Sequence, residues 1–354
     1  MKMIKVLILY NELFHYRIPV WNILAERCDL TVAYSEGRIP EGINIDFKVL
    51  YLPCKVLFKR IVIQKGNIRK LAKCYDVVVA YGDIAWLKYS TLPWFNNLKV
   101  VYHTLGVSAS YSKGFDEYTK WDRIRAFFYS QADALAFYTQ YPIEKYAALG
   151  IAREKMFEAP NTVEVIPAES TEKDSLLFIG TLYRQKGIQY ILDIYLKLRG
   201  IVHLPMLNII GDGPDFSTIS EWVKCNDMGD IVRLKGAIYN SKEKALFFAR
   251  AIACLSPKQA GLSVLESMGH GVPFITSKNA ITGGEILNIH DRIDGVLLDD
   301  ISQLEDVIKD ISENSLKYIE MGRKAKDFYY SSRTIKDMAN GLWEAILYAI
   351  KDNK

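Results

Sequence analysis

The chain has 354 residues, half of them hydrophobic and 24% charged, with a formal net charge of +4. That length and composition suit two domains with real cores and exclude wholesale disorder. Five scattered cysteines without a Cys-x-x-Cys pair exclude a disulfide framework and a structural zinc site, and five histidines without His-Glu-x-x-His spacing offer no protein-encoded metal site.

In chain order, Met1 to Tyr10 has lysines and an apolar run that Asn11-Glu12 end early. The run is too short for a signal-peptide core and reads as a first strand. Strand-like runs follow at Leu30–Tyr34, Val77–Tyr81, Lys99–His103 and Ala134–Tyr138. After the polar stretch Pro167 to Ser175, the best linker, come Leu176–Gly180, Met206–Gly211, Ile231–Leu234, Ala251–Ser256 and Pro273–Thr276. Helical periodicity lies between the runs, most clearly over Ile188–Leu198. Strand–helix alternation of this kind predicts an α/β chain of two doubly wound domains, with ligands beyond the C-terminal ends of the strands. No apolar run of about 18 residues is present, so no membrane span is expected. The expected location is cytoplasmic, either free or resting on the inner face of the membrane.

Charge is unevenly spread. Residues 1–165 carry 22 basic and 16 acidic side chains, and residues 166–354 carry 23 and 25. Lys55 to Lys73 holds seven positive charges and no negative one, interleaved with Val, Leu, Phe and Ile. This is either a solvated helix face or a surface that rests on anionic lipid. Nucleic acid is the weaker option, because no zinc-finger, RRM or helix-turn-helix signature accompanies the charge.

Three loops of the second half suit a phosphate-bearing ligand. In "FIGTLYRQKGIQYIL", the strand ends at Gly180 and a helix begins near Lys186-Gly187. Arg184 and Lys186 thus stand at a helix N-terminus, an unfavourable place for cations unless an anion binds there. In "NIIGDGPDF", Gly211 and Gly213 allow close backbone approach and Pro214 suits a first helical turn, though a plain tight turn reads equally well. In "SPKQAGLSVLESMGHGVPFITS", Gly261 lies in a loop before a helix from Ser263. There Glu266 either caps its own helix in a Ser263–Glu266 box or faces a ligand.

This ordered set resembles the C-terminal half of family-4 retaining glycosyltransferases (glycosyl transferases group 1, GT-B fold). Gly180-Thr181-Leu182 with Lys186-Gly187, Gly211-Asp212-Gly213-Pro214, Glu266-Ser267-Met268 with Gly271-Val272-Pro273, and Thr282 to Gly295 carry it. The resemblance is specific from about 176 to 300 and looser before. It implies two Rossmann-like domains facing each other across a cleft: 1–166 on the acceptor side, 167–330 on the donor side, and a terminal helix in 331–354 packing back on the first. It also implies a UDP- or GDP-sugar donor, a glycan or lipid-linked acceptor, no prosthetic group and no metal.

Residue by residue, the resemblance implies that Lys186 neutralises the donor diphosphate and Glu266 holds the ribose. Ala260, Gly261 and Leu262 would offer backbone N–H groups to phosphate, and Ala237 and Ile238 would hold the base. Gly180, Thr181, Gly211, Asp212 and Gly213 would border the donor. His103, at a strand end before Gly106, would orient the donor sugar. His15 and Arg17 are candidates for acceptor or phosphate contact, or pack around the helix starting at Pro19. Two departures stand out. Thr181 replaces a phosphate-binding arginine, whose role falls to Arg184, and Lys258 replaces the first acid of a Glu-x7-Glu pair. The rival expectation is a non-catalytic sugar-nucleotide-binding subunit of a synthesis complex.

Overall fold

The computed structural model describes residues 3–95, 97–110, 114–117, 119–169 and 171–351. Tyr111 to Lys113, within the loop after His103, and Ser170, within the linker stretch, lie outside the described residues. The chain divides into two compact units. One holds the residues up to Ser108, Asp116–Val163 and those from Arg333 onward; the other holds Ala109–Phe115 and Glu164–Ser332.

The first unit is built on a seven-stranded parallel sheet in the order Met156–Glu158, Ala134–Phe137, Val100–Thr104, Val77–Tyr81, Lys5–Leu9, Asp29–Tyr34, Lys48–Tyr51. Val6 stands between Val77 and Leu30 in register. Its central strands are apolar on both faces because both faces are covered, as parallel sheets require. Pro19 opens the helix Ile18–Ala25. The helix Ile335–Ile350 starts at a Thr334–Asp337 capping box and buries Met338, Leu342, Ala345 and Ile346 in the core with Val6, Ile8 and Trp21. Gly341 lets that helix ride on the sheet, since a Cβ there would lie 2.0 Å from the Glu158 carbonyl oxygen. The basic stretch Lys55 to Lys73 is not one helix face. It folds into an antiparallel hairpin, Cys54–Leu57 with Ile61–Gln64, and the short helix Ile68–Ala72.

The second unit has six parallel strands in the order Val232–Gly236, Met206–Ile210, Ser175–Ile179, Ala251–Leu255, Phe274–Ser277, Gly295–Leu298. The chain starts in the middle, winds one way through three strands, then returns to wind the other way. Strand order reverses between Ser175–Ile179 and Ala251–Leu255, which pair directly. Ligands of doubly wound sheets sit at such a reversal, beyond the C-terminal strand ends. The loops from Gly180 and from Ser256 leave the sheet at that point.

Candidate active site

Gly180 ends its strand at φ 139°, a conformation that favours glycine. The missing side chain has a use. A Cβ at Gly180 would lie 2.6 Å from Lys186 Nζ, so the ammonium group occupies the space over the strand end. Lys186 closes the 3-10 turn Arg184–Lys186, and Gly187 (φ 77°) then reverses the chain into the helix Ile188–Leu198. The two cations therefore precede the helix by a turn of their own, rather than forming its first residues. That helix has no side-chain cap on its free N–H groups. Burial pushes the Lys186 ammonium down to about 8, and no neighbouring charge offsets it. Among the described residues, no hydrogen bond or ion pair engages it. Arg184 and Thr181 are exposed.

Lys258 leans over the same helix start. Its Nζ donates to Tyr190 Oη at 3.0 Å and lies 4.6 Å from the Tyr190 ring centroid. A Cβ at Gly187 would meet Lys258 Cγ at 3.2 Å. Lys258 thus stays beside the helix N-terminus instead of reaching away into solvent. Its loop is held from behind. Lys258 accepts from the Ile281 amide through its carbonyl at 2.9 Å, and Gln259 and Ala260 pair with Ile281 and Thr282. Gly261 has open space where a Cβ would stand, and Leu262 is half-buried.

Gly211 and Gly213 have a packing reason to be glycine. A Cβ at Gly211 would fall 1.9 Å from the Gly180 carbonyl oxygen, and one at Gly213 would fall 2.6 Å from that of Leu182. Leu182 donates to the Asp212 carbonyl at 2.9 Å, and Gly180 to that of Ile210 at the same distance. Asp212 accepts from the Gly213 amide at 2.7 Å. The "GDGP" loop is the backing on which the Gly180 loop rests. Pro214 lies outside the helix that follows, Phe216–Cys225.

Glu266 does not cap its own helix. The helix Ser263–Gly269 has Leu262 at its N-cap and no side-chain cap, so the Ser263 box is absent. Ser263 is already the first helical residue, one position too late for that box. Instead Glu266 Oε1 accepts from Lys244 Nζ, a pair with 13% and 16% side-chain exposure. Among the described residues, no hydrogen bond engages its second oxygen. Ala237 is exposed and Ile238 half-buried after the turn at Gly236 (φ 75°).

In the first unit the structure brings His103 and Arg17 into one buried cluster. Arg17 is 2% and His103 1% exposed. Arg17 donates to Asn161 Oδ1 at 2.5 Å and to Met338 Sδ at 2.8 Å, with its guanidinium 5.0 Å from the Tyr138 ring centroid. The Tyr10 and Tyr138 hydroxyls bond to each other, and their rings lie 6.0 and 4.8 Å from the imidazole. His103 Nε2 and Arg17 Nε have no partner among the described residues. Burial, and then the Arg17 charge, hold His103 well below its ordinary value, so it is neutral near pH 7. His15 is exposed and does not join the cluster. Tyr190, Lys244, Tyr10 and Tyr138 went unread in the sequence. Tyr10 and Tyr138 each follow a strand directly, a position that is a signal in itself; Lys244 and Tyr190 lie on helices and carry no such signal.

Residues 173–314 match the model of the family described as glycosyl transferases group 1. The matched residues lie within the second unit and make up about two fifths of the chain. Among curated proteins, N-acetyl-alpha-D-glucosaminyl L-malate synthase of Bacillus anthracis is 27% identical over 191 residues, which is 52% of this chain and 48% of that protein. The match thus spans about half the length of this relative. Anabaena Alr3699/HepE, solved in complex with UDP, is similar at a TM-score of 0.72 and 13% identity over 97% of this chain and 99% of that one. A glycosyltransferase from Rickettsia africae gives 0.70 at 13% over the whole of both chains. The lipopolysaccharide outer core galactosyltransferase WaaB gives 0.68 at 15%, over 97% and 99%. These likenesses, with the two doubly wound sheets, make the fold GT-B.

Proposed function

We propose that this chain is a glycosyltransferase that moves one sugar from a nucleotide-diphosphate donor, a UDP- or GDP-sugar, to a glycan or lipid-linked acceptor in cell-surface polysaccharide synthesis. One observation carries the reading. Lys186 is a half-buried cation without a partner among the described residues, over a glycine strand end and ahead of an uncapped helix N-terminus, where strand order reverses. A diphosphate satisfies all of these at once. The UDP in the HepE structure and the galactosyltransferase name of WaaB support the donor and acceptor classes.

In the proposed reaction the bond from the anomeric carbon to the phosphate oxygen breaks, and its electron pair stays on that oxygen. Lys186, Arg184 and the free N–H groups of the Ile188 helix stabilise the developing charge, each well-aimed donor being worth about 3–4 kcal/mol. Those cations do the work a metal would do. The acceptor hydroxyl bonds to the anomeric carbon on the face the phosphate leaves, so configuration is retained, and its proton passes to the departing phosphate. Glu266 holds the ribose through the oxygen that Lys244 leaves free. Ala237 and Ile238 border the base, and Ala260, Gly261 and Leu262 the phosphate. His103, neutral and buried among Tyr10 and Tyr138 in the first unit, has no acid or base duty. Lys258, fixed by Tyr190, takes an additional anionic group: a donor phosphate or a carboxylate-bearing sugar.

A thermal-shift panel of nucleotide sugars, followed by product assays, tests the reading. A stabilising donor whose transfer or slow hydrolysis disappears in Lys186→Ala supports it. Uncharged Thr181 and cationic Lys258 favour a second reading, a non-catalytic binding subunit. Donor binding with neither transfer nor hydrolysis would establish that one instead.

A further inference from the structure

The hairpin Cys54–Leu57/Ile61–Gln64 is organised in a way that donor chemistry does not explain. Strand pairing sets Val56 opposite Val62 and Leu57 opposite Ile61. Val62 and Gln64 face inward and are buried, at 7% and 1% exposure. The opposite face carries Lys55, Leu57, Ile61 and Ile63, and Leu57 and Ile61 are exposed. At the tip, Phe58 is 88% exposed. Phe58 and Lys59 adopt φ 51° and 57°, backbone that Asn and Gly take readily and a bulky aromatic does not. A strained position at the outermost point of a hairpin is thus given to one of the largest apolar side chains. Around it, Lys55, Lys59, Arg60, Lys65, Arg69, Lys70 and Lys73 are all exposed, and the stretch contains no acid.

We propose that this hairpin docks the protein on an anionic lipid bilayer, with Phe58, Leu57 and Ile61 entering the interface and the flanking cations meeting phosphate headgroups. An apolar wedge ringed by cations without a matching acid fits that partner in both terms: apolar burial and attraction to negative surface potential. No helix among the described residues is long and apolar enough to cross a membrane, so docking here is peripheral. The proposal stands independently of the donor site.

The test is co-sedimentation of the full chain with vesicles of phosphatidylcholine alone or with about one-third phosphatidylglycerol. Binding to the anionic vesicles only, weakened by salt, is expected. Replacing Lys55, Lys59 and Arg60 by Gln should weaken partitioning about 100-fold, from about fivefold per cation. Phe58→Asn should weaken it about tenfold. The same change should raise Tm, because Asn accepts the tip backbone. A raised Tm with unchanged binding would show that Phe58 is not a wedge and would overturn the proposal. So would equal binding to neutral vesicles, or no binding to anionic ones, the result expected if an acidic protein is the true partner.

Discussion

The two units solve the same topological problem and fill its centre differently. In each, the chain starts in the middle of a parallel sheet and reverses beside its first strand. In the first unit that strand ends in Tyr10, 3% exposed, whose ring packs with Trp21, Tyr81 and His103. In the second it ends in Gly180, and the vacated space holds an ammonium group. Both regions contain a buried or half-buried cation, Arg17 and Lys186. Arg17 is bonded on two nitrogens and enclosed by tyrosine, whereas among the described residues no bond engages the Lys186 ammonium and burial lowers its proton affinity. One residue after the first strand separates a closed structural cluster from the site proposed for the donor diphosphate.

The largest effect should come from closing that difference at the backbone. Gly211→Ala places a methyl group 1.9 Å from a carbonyl oxygen that cannot swing away, at φ 155°. A loss of about 4 kcal/mol or more, read by denaturant unfolding, is expected. A near-neutral result would mean the two loops do not brace each other. Next is Lys186→Ala, expected to lower turnover about 100- to 1000-fold while relieving the burial cost and leaving Tm unchanged or higher. Activity within a few-fold of wild type would remove Lys186 from the proposed mechanism.

The pH dependence follows with its sign. Lys186 binds its proton less tightly folded (about 8) than unfolded (10.5). At neutral pH its charged form therefore costs the fold about 3 kcal/mol, and stability rises as pH climbs from about 8 to 10.5. Donor affinity should do the opposite, falling about tenfold per pH unit above about 8 as the ammonium is lost. Lys186→Arg, permanently charged, should flatten that limb. An identical limb in both proteins would assign the titration to another group.

How far these features were legible in the sequence depended on their range. Runs such as Val77–Tyr81 are buried on both faces, so composition alone marks them, and the Ile188–Leu198 period marks its helix without error. The edge strands Lys48–Tyr51 and Met156–Glu158 were missed because they are short and partly exposed. Glycines before and within loops were legible as loops. Their reasons were not, since Gly211 answers to Gly180, a contact set by the register of two strands. The pairing of Lys244 with Glu266 is likewise a tertiary fact, and it stands where sequence spacing offered a local capping box as one of two readings. Cationic character in Lys55 to Lys73 was plain, but its hairpin was hidden because Phe-Lys is not the usual chemistry of a turn at positive φ.

The smallest effect concerns Tyr190, which separates position from charge at Lys258. Tyr190→Phe keeps the ring under the ammonium and deletes one hydrogen bond of 3.0 Å. A partly exposed bond of this kind is worth about 1 kcal/mol, so donor KM should rise by about fivefold with turnover nearly unchanged. Lys258→Glu should act differently. It returns the negative charge that the resembling family places here, and it should shift preference among donors toward neutral sugars instead of weakening all of them alike. If neutral hexose donors serve the wild type as well as they serve Lys258→Glu, the ammonium has no part in choosing the sugar. Its bond to Tyr190 then only holds the loop, and Tyr190→Phe should affect every donor equally.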